Sequence, residues 1–140
     1  MRTYDVGVAS LAIGAPLKWT DNLLSHHEVP GVLGNARGVA RKIPYSSLLL
    51  LAVVRELHEE AGLGVREALA LARRLVEAPA EGVPASEHLR VSLDRAALER
   101  GLALRLRDAL ESAPAPRRGR PPLRRTGAGV GDAKRGGTVG

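Results

Sequence analysis

The chain has very few aromatic side chains from which to build a hydrophobic core. Among its 140 residues are one Trp, two Tyr and no Phe, although the hydrophobic fraction of 44% is ordinary for a globular protein. A core must therefore consist of Leu, Val and Ala. Such a core favours packed helices over a sheet sandwich, because sandwiches use more β-branched and aromatic residues. We therefore expect a small, mainly α protein of one domain and little more.

Residues that the chain lacks exclude several kinds of site. There is no cysteine, so disulfides, thiolate zinc sites and cysteine nucleophiles are excluded. The start, MRTYDVGVAS, lacks the basic segment and long apolar run of a signal peptide. The apolar run SSLLLLAVV is too short to cross a bilayer. These features lead us to expect a cytoplasmic protein.

Two short helices are predicted at the start of the chain. In residues 5–14, DVGVASLAIG, Asp5 can cap the first helix and Gly14 can end it in the left-handed conformation. Three-four spacing in residues 15–27, APLKWTDNLLSHH, predicts the second helix, and such a pair is typical of a helix-turn-helix. The first helix is expected to bury Val6, Ala9, Leu11 and Ile13. The second is expected to bury Leu17, Thr20, Leu23, Leu24 and His27 and to expose Lys18, Asp21, Asn22, Ser25 and His26.

A hairpin and two longer helices are predicted next. In residues 29–43, apolar positions flank the turn GNARG, whose glycines give the backbone freedom that a hairpin tip needs. We expect a two-stranded wing with arginine at its tip. Helices are then expected from Pro44 to Gly62 and over residues 64–78, followed by a linker at residues 79–86.

A strand and a last helix are predicted before residue 113. Alternation in residues 88–94 predicts a short strand, which must pair with a two-fold mate or with another strand of the fold if it is partly buried. Asp94 can cap the last helix, which runs to about Ser112. Its apolar stripe consists of Leu98, Leu102, Leu106 and Ala109, and its leucines are expected to form a dimer interface.

The positive charge is concentrated at the end of the chain. Lys+Arg minus Asp+Glu is five minus three in residues 1–44, nine minus eleven in residues 45–112, and seven minus one in residues 113–140. A basic tail favours a polyanionic partner, although a composition rich in Arg, Gly and Pro can also produce one without binding. We divide the chain into a first domain of residues 1–78, an extension of residues 79–112 for dimerisation or partner binding, and a disordered tail of residues 113–140.

Residues 4–77 resemble the DNA-binding domain of the MerR family of transcription regulators. The resemblance is carried by YDVGVASLAIG, LKWTDNLLSHH, ARGVARKIPYSSL and RELHEEAGLGVREAL. It implies a winged helix-turn-helix whose second helix enters the major groove while the wing holds the flanking backbone. The long dimer helix and the cysteine effector ligands of that family are missing, so the resemblance implies no metal or redox sensing.

Candidate DNA contacts lie on the second helix and the wing. Donors and acceptors on an exposed helix face can meet base edges or phosphates, and cations on a hairpin can neutralise phosphates. Trp19 is expected to pack in the core, with the wing or a DNA sugar as alternatives. Arg41 stands where the resemblance places a wing arginine. The candidates are Lys18, Trp19, Asn22, Ser25 and His26 on the helix, and Arg37, Arg41 and Lys42 on the wing.

The tail contains a second candidate DNA-binding segment. Residues 117–125 read RRGRPPLRR, and Arg118, Gly119, Arg120 and Pro121 resemble an AT-hook. In that motif glycine lets the backbone approach the floor of the minor groove, proline keeps the chain extended, and the arginines lie along the narrow groove of A·T-rich DNA. The alternative is a basic linker.

These observations favour a protein that binds double-stranded DNA. Adjacent residues on a helix point about 100° apart, so His26, His27 and Glu28 do not suggest a metal site, and no spacing suggests a catalytic nucleophile with its base. We expect a non-enzyme without metal or cofactor: a homodimeric, nucleoid-associated transcription regulator or architectural protein. The alternatives are an antitoxin-like module that binds a second protein through residues 79–112, and an excisionase-like recombination accessory.

Overall fold

The computed structural model of the chain describes residues 2–34, 39–78 and 80–112. These residues form five helices and two short antiparallel strand pairs, which confirms the mainly α class. None of the described helices is both long and apolar enough to cross a membrane. The helices are α1 (Val6–Ile13), α2 (Leu17–His26), α3 (Tyr45–Ala61), α4 (Val65–Glu77) and α5 (Arg95–Ser112). The strands are β1 (Thr3–Tyr4), β2 (Ile43–Pro44), β3 (Val83–Pro84) and β4 (Arg90–Val91).

Local capping chemistry sets the ends of several helices. The Asp5 carboxylate accepts a hydrogen bond of 2.8 Å from the Val8 amide at the start of α1. Gly14 ends α1 at φ 70° and Gly62 ends α3 at φ 73°, in the left-handed region where a side chain would be strained. Asp94 accepts a bond of 3.1 Å from the Ala97 amide at the start of α5. The predicted caps of α1, α3 and α5 are therefore confirmed.

The core is built around α3. Every residue from Ser47 to Val54 is buried, so this part of the helix is enclosed on all sides. It packs against α1, α4 and α5, and burial of a leucine side chain such as Leu48 or Leu51 contributes about 1.5–3 kcal/mol. Because the buried residues of this core are all aliphatic, with aromatic side chains only at its edge, tight packing depends on many small aliphatic contacts.

The predicted wing differs from what is observed. Its stem is a single antiparallel bridge in which Leu33 and Lys42 exchange backbone hydrogen bonds of 3.0 and 2.9 Å. The residues after the stem do not return to the first arm of the hairpin. Instead β2 pairs with β1 at the start of the chain. The expected two-stranded hairpin is therefore reduced, because buried Ile43 pairs with Tyr4 beside the core.

The extension of residues 79–112 also differs from its prediction. The strand predicted at 88–94 shortens to β4. Its pairing with another strand of the fold confirms one of the two predicted alternatives, although that strand, β3, lies inside the predicted linker. The first domain and the extension share one hydrophobic core, since α5 packs mainly against α1. Leu102 and Leu106 are buried there within the same chain, and Leu98 is partly buried. The predicted dimer interface through these leucines is therefore wrong for this fold.

Two predicted core positions are wrong, because Leu11 is 51% exposed and Leu17 is 54% exposed. Two others, Val6 and His27, are only partly buried. On α1 the physical reason is crowding: the helix is enclosed by α2, α3 and α5, so its small residues Ala9 and Ala12 take the fully buried positions. On α2, Leu17 and His27 lie at the two ends of the helix, away from its buried middle.

A polar cluster ties α5 to its neighbours, and we call Arg95, Glu99 and Tyr45 the Arg95 cluster. The guanidinium of Arg95 donates to Glu99 Oε2 at 2.8 Å and to the Val76 carbonyl at 3.1 Å. The Tyr45 hydroxyl donates to Glu99 Oε1 at 3.2 Å. Hydrogen bonding from Arg95 lowers the pKa of Glu99, and burial together with the Glu99 charge raises the pKa of Tyr45.

Candidate nucleic-acid interface

Helix α2 has one buried face and one polar face. Thr20, Leu23 and Leu24 are buried, so the helix is held against the core by its inner side. The positions that sequence analysis placed outward are exposed. Four of them lie three, four, seven and eight residues after the first, which brings all five to the same side of the helix. The exposed residues are Lys18, Asp21, Asn22, Ser25 and His26.

One hydrogen bond within α2 orients a polar group of this face. His26 Nδ1 lies 2.8 Å from the Asn22 carbonyl oxygen, to which it donates. Nε2 is then the acceptor of the neutral His26 ring. The face therefore presents both donors and acceptors.

Arg41 is held against this face, and we call Arg41, Asp21 and Ser25 the Arg41 cluster. Its Nη1 donates to Asp21 Oδ1, and its Nη2 donates to Ser25 Oγ at 2.9 Å. The Ser25 hydroxyl in turn donates to the Asp21 carbonyl oxygen at 2.8 Å. The Arg41 side chain is 19% exposed, whereas that of Asp21 is 52% exposed. The wing stem is therefore joined to α2 by an ion pair.

The Arg41 cluster leaves two polar atoms without a partner among the residues that the structure describes. The Nε atom of Arg41 is buried and donates to no acceptor. Within residues 2–34, 39–78 and 80–112, Oδ2 of Asp21 accepts no hydrogen bond either. Two grooves flank the cluster. One, of about 440 Å³, is lined by Leu17 and Val39 beside Asp21, and the other, of about 410 Å³, is lined by Ser25 and His26.

Trp19 anchors α2 to α3. Its ring lies 5.6 Å from that of His58, and the guanidinium of Arg55 lies 4.8 Å from its centre. Trp19 is partly buried against the core, which is where sequence analysis most expected it. As the single tryptophan of the chain, it is also a fluorescent reporter beside the polar face of α2.

The other candidate residues are distributed as follows. Lys42 is exposed and adjoins the bridge to Leu33. Arg37 at the predicted wing tip lies outside the described residues. The same holds for the AT-hook-like segment of Arg118, Gly119, Arg120 and Pro121. The structure therefore brings Arg41 to α2 and leaves the predictions for these other segments as predictions.

The contact of Asp21 with Arg41 was not predicted from the sequence. The helical period places Asp21 among the outward residues of α2, but it was not among the candidate contacts. Its spacing of four from Ser25 was the available signal, since residues four apart on a helix are neighbours. The partner Arg41 lies 20 residues away, and no local pattern connects the two.

Comparison with known proteins adds no assignment. Protein-family models, curated proteins and solved structures give no significant match to this chain. Within the part of the chain that the structure describes, no three His, Asp or Glu side chains are grouped to hold a metal ion. The surface of α2 and the Arg41 cluster is therefore interpreted from its own geometry.

Proposed function

We propose that this chain binds double-stranded DNA through α2 and the adjoining wing stem, in the manner of a MerR-like winged helix-turn-helix. The observation that carries the proposal is the polar face of α2, to which Arg41 is fastened by Asp21 and Ser25. A helix that buries one side and exposes donors and acceptors on the other can enter the major groove, which is about 12 Å wide. A stem fixed beside it then lies over the phosphate backbone.

The charge distribution supports different roles for the tail and for α2 in binding DNA. Residues 1–112 hold fourteen Lys+Arg and fourteen Asp+Glu, whereas residues 113–140 hold a net +6. Phosphate attraction that does not depend on sequence would therefore come mainly from the tail, and base reading from α2. Lys18 and Lys42 are the exposed cations of the α2 surface, and they would contact phosphates at its edges.

Selection of bound sequences from random duplex DNA by the full chain tests this proposal. We expect enrichment of one motif, and quenching of Trp19 fluorescence when that duplex is added. Lys18→Ala should weaken binding and reduce the slope of log affinity against log salt by about one. Arg107→Ala, which removes an exposed charge from α5, is the matched control and should change the slope less. If no motif is enriched and the two variants have equal slopes of log affinity against log salt, the proposal is wrong.

A homodimer remains part of the proposal, with a changed surface. Leu102 and Leu106 are unavailable, because they are buried within the chain. The large apolar side chains of the extension that remain exposed are Leu89, Leu104 and Leu110. A second copy, or the second protein of an antitoxin-like pair, would therefore contact α5 on its outer side or the β3–β4 pair. Light scattering at micromolar concentration tests whether the full chain is a dimer. If the dimer uses the outer side of α5, Leu104→Asp should convert it to a monomer.

A further inference from the structure

We propose that Asp21 determines base specificity by accepting a hydrogen bond from the N4 amino group of a cytosine in the major groove. This inference rests on the proposed DNA-binding function and adds to it the residue that reads one base. In this arrangement Arg41 and Ser25 are positioning residues. They act through Asp21 and read no base themselves.

The second carboxylate oxygen of Asp21 is held in a fixed orientation and has no donor among the described residues. Arg41 binds Oδ1 of Asp21, and among the described residues Oδ2 has no donor. Ser25 holds the other terminal nitrogen of the guanidinium at 2.9 Å, so Arg41 cannot rotate freely away from the carboxylate. Because Asp21 is half exposed on the polar face of α2, its second oxygen is available to a base edge in the groove.

The ion pair with Arg41 reduces the repulsion between the Asp21 carboxylate and the DNA phosphates. A bare carboxylate on a recognition helix would be repelled by the phosphates on both sides of the groove. The guanidinium of Arg41 offsets the charge of Asp21 at the point of contact. The charge-assisted bond also fixes the orientation of the carboxylate, so less side-chain freedom is lost on binding.

The chemistry of the groove selects cytosine. A carboxylate needs a donor, and guanine and thymine present only acceptors to the major groove apart from the thymine methyl group. Adenine presents its N6 amino group, but the acceptor N7 lies beside it and repels a carboxylate. Cytosine presents its N4 amino group with no acceptor of its own alongside, and aspartate is a usual partner of that group.

The experiment is the random-duplex selection with the full chain, the variant Asp21→Asn and the matched control Asp108→Asn. Both variants remove one exposed carboxylate charge, but Asp108 lies on α5. We expect wild type to prefer cytosine at one position of its site by about tenfold. In Asp21→Asn the amide oxygen stays with Arg41, so the amide nitrogen, which only donates, replaces Oδ2 at the base edge. Asp21→Asn should therefore lose the preference for cytosine at that position and favour guanine or thymine, which present acceptors there, and Asp108→Asn should keep cytosine.

The other outcomes overturn the inference in distinguishable ways. If Asp21→Asn weakens binding to every duplex alike and selects the wild-type motif, Asp21 only positions Arg41. If Asp108→Asn shifts the base preference in the same way, the effect comes from net charge and not from contact. If wild type selects no motif, the proposed function itself has failed. Thermal unfolding of both variants, which should match wild type, shows that each remains folded.

Discussion

The Arg41 cluster and the Arg95 cluster use the same groups, an arginine, a carboxylate and a hydroxyl, but they are completed to different degrees. Both oxygens of Glu99 are bound, one by Arg95 and the other by Tyr45. Only one oxygen of Asp21 is bound within the described residues, and the Nε of Arg41 has no acceptor there. The first cluster joins an exposed helix face to the wing stem, whereas the second joins α3, α4 and α5 inside one fold.

Under the proposed function, the Arg95 cluster serves the fold and the Arg41 cluster binds a partner. A cluster whose polar atoms are satisfied internally gains nothing from a ligand and serves the fold. A cluster with an open acceptor on an exposed helix gains a hydrogen bond when a donor arrives. Position agrees with this reading, because Arg95 lies at the start of α5, which closes over the core, while Asp21 lies at the middle of α2.

The largest effect is expected from the packing beneath the Arg95 cluster. Leu102 is fully buried in α5, whereas Leu104, two residues further, is 54% exposed. Leu102→Ala should lower the free energy of unfolding by about 2–5 kcal/mol, because it leaves a cavity where α5 meets α1. Leu104→Ala is the control and should cost less than about 1 kcal/mol. Equal effects in urea denaturation would show that α5 does not belong to the core.

Truncation after Ser112 separates the structural part of the extension from the charge that follows it. Removal of residues 113–140 should leave the free energy of unfolding unchanged and weaken DNA binding by about tenfold at moderate salt. Arg118→Ala combined with Arg120→Ala should reproduce much of the loss, and more so on A·T-rich flanks than on G·C-rich ones. A loss that is the same on every flank would mean that RRGRPPLRR is a basic linker.

The exchange of arginine for alanine in each cluster tests the comparison directly. Arg41→Ala leaves the Asp21 charge uncompensated on the α2 face, so affinity for every duplex should fall by about fivefold, or about 1 kcal/mol. Arg95→Ala should leave DNA affinity unchanged. Arg95→Ala should change the free energy of unfolding by no more than about 1 kcal/mol, since its side chain is 43% exposed. Arg41→Ala should cost more than Arg95→Ala, since the Arg41 side chain is only 19% exposed. If Arg41→Ala and Arg95→Ala weaken DNA binding equally, the two clusters do not differ in their contribution to binding.

The smallest effect is a pH dependence confined to the Arg95 cluster. The folded state lowers the pKa of Glu99, so Glu99 stabilises the protein above its ordinary pKa of 4.5 and loses that contribution as the pH falls through the lowered pKa. The folded state raises the pKa of Tyr45, so its contribution is complete below 10.0 and is lost as the pH rises through the raised pKa.

Thermal unfolding across pH checks both directions. The difference in Tm between wild type and Glu99→Gln should shrink on the acid side, and that between wild type and Tyr45→Phe on the alkaline side. If the difference between wild type and Tyr45→Phe stays constant on the alkaline side, the bond to Glu99 does not contribute.

Features that depend on nearby residues could be predicted from the sequence. The caps at Asp5 and Asp94, the glycine ends of α1 and α3, and the exposed polar face of α2 follow from contacts within a few residues or from the helical period. The apolar run of α3 likewise predicted a helix, whereas its burial on all sides from Ser47 to Val54 was seen only in the structure. These features depend only on residues that are close to one another in sequence.

Tertiary packing alone decided the rest. The pairing of β2 with β1, the burial of Leu102 against α1 and the ion pair of Arg41 with Asp21 join residues that are distant in sequence. Each of these contacts forms between surfaces that the packed helices leave uncovered. Which surfaces are uncovered depends on how all the helices pack together. A three-four pattern could show that α5 has an apolar stripe, but a second copy and α1 would cover that stripe equally well. The chain's own helix covers it because it is tethered at high effective concentration, so the dimer interface expected from the pattern became the core of one chain.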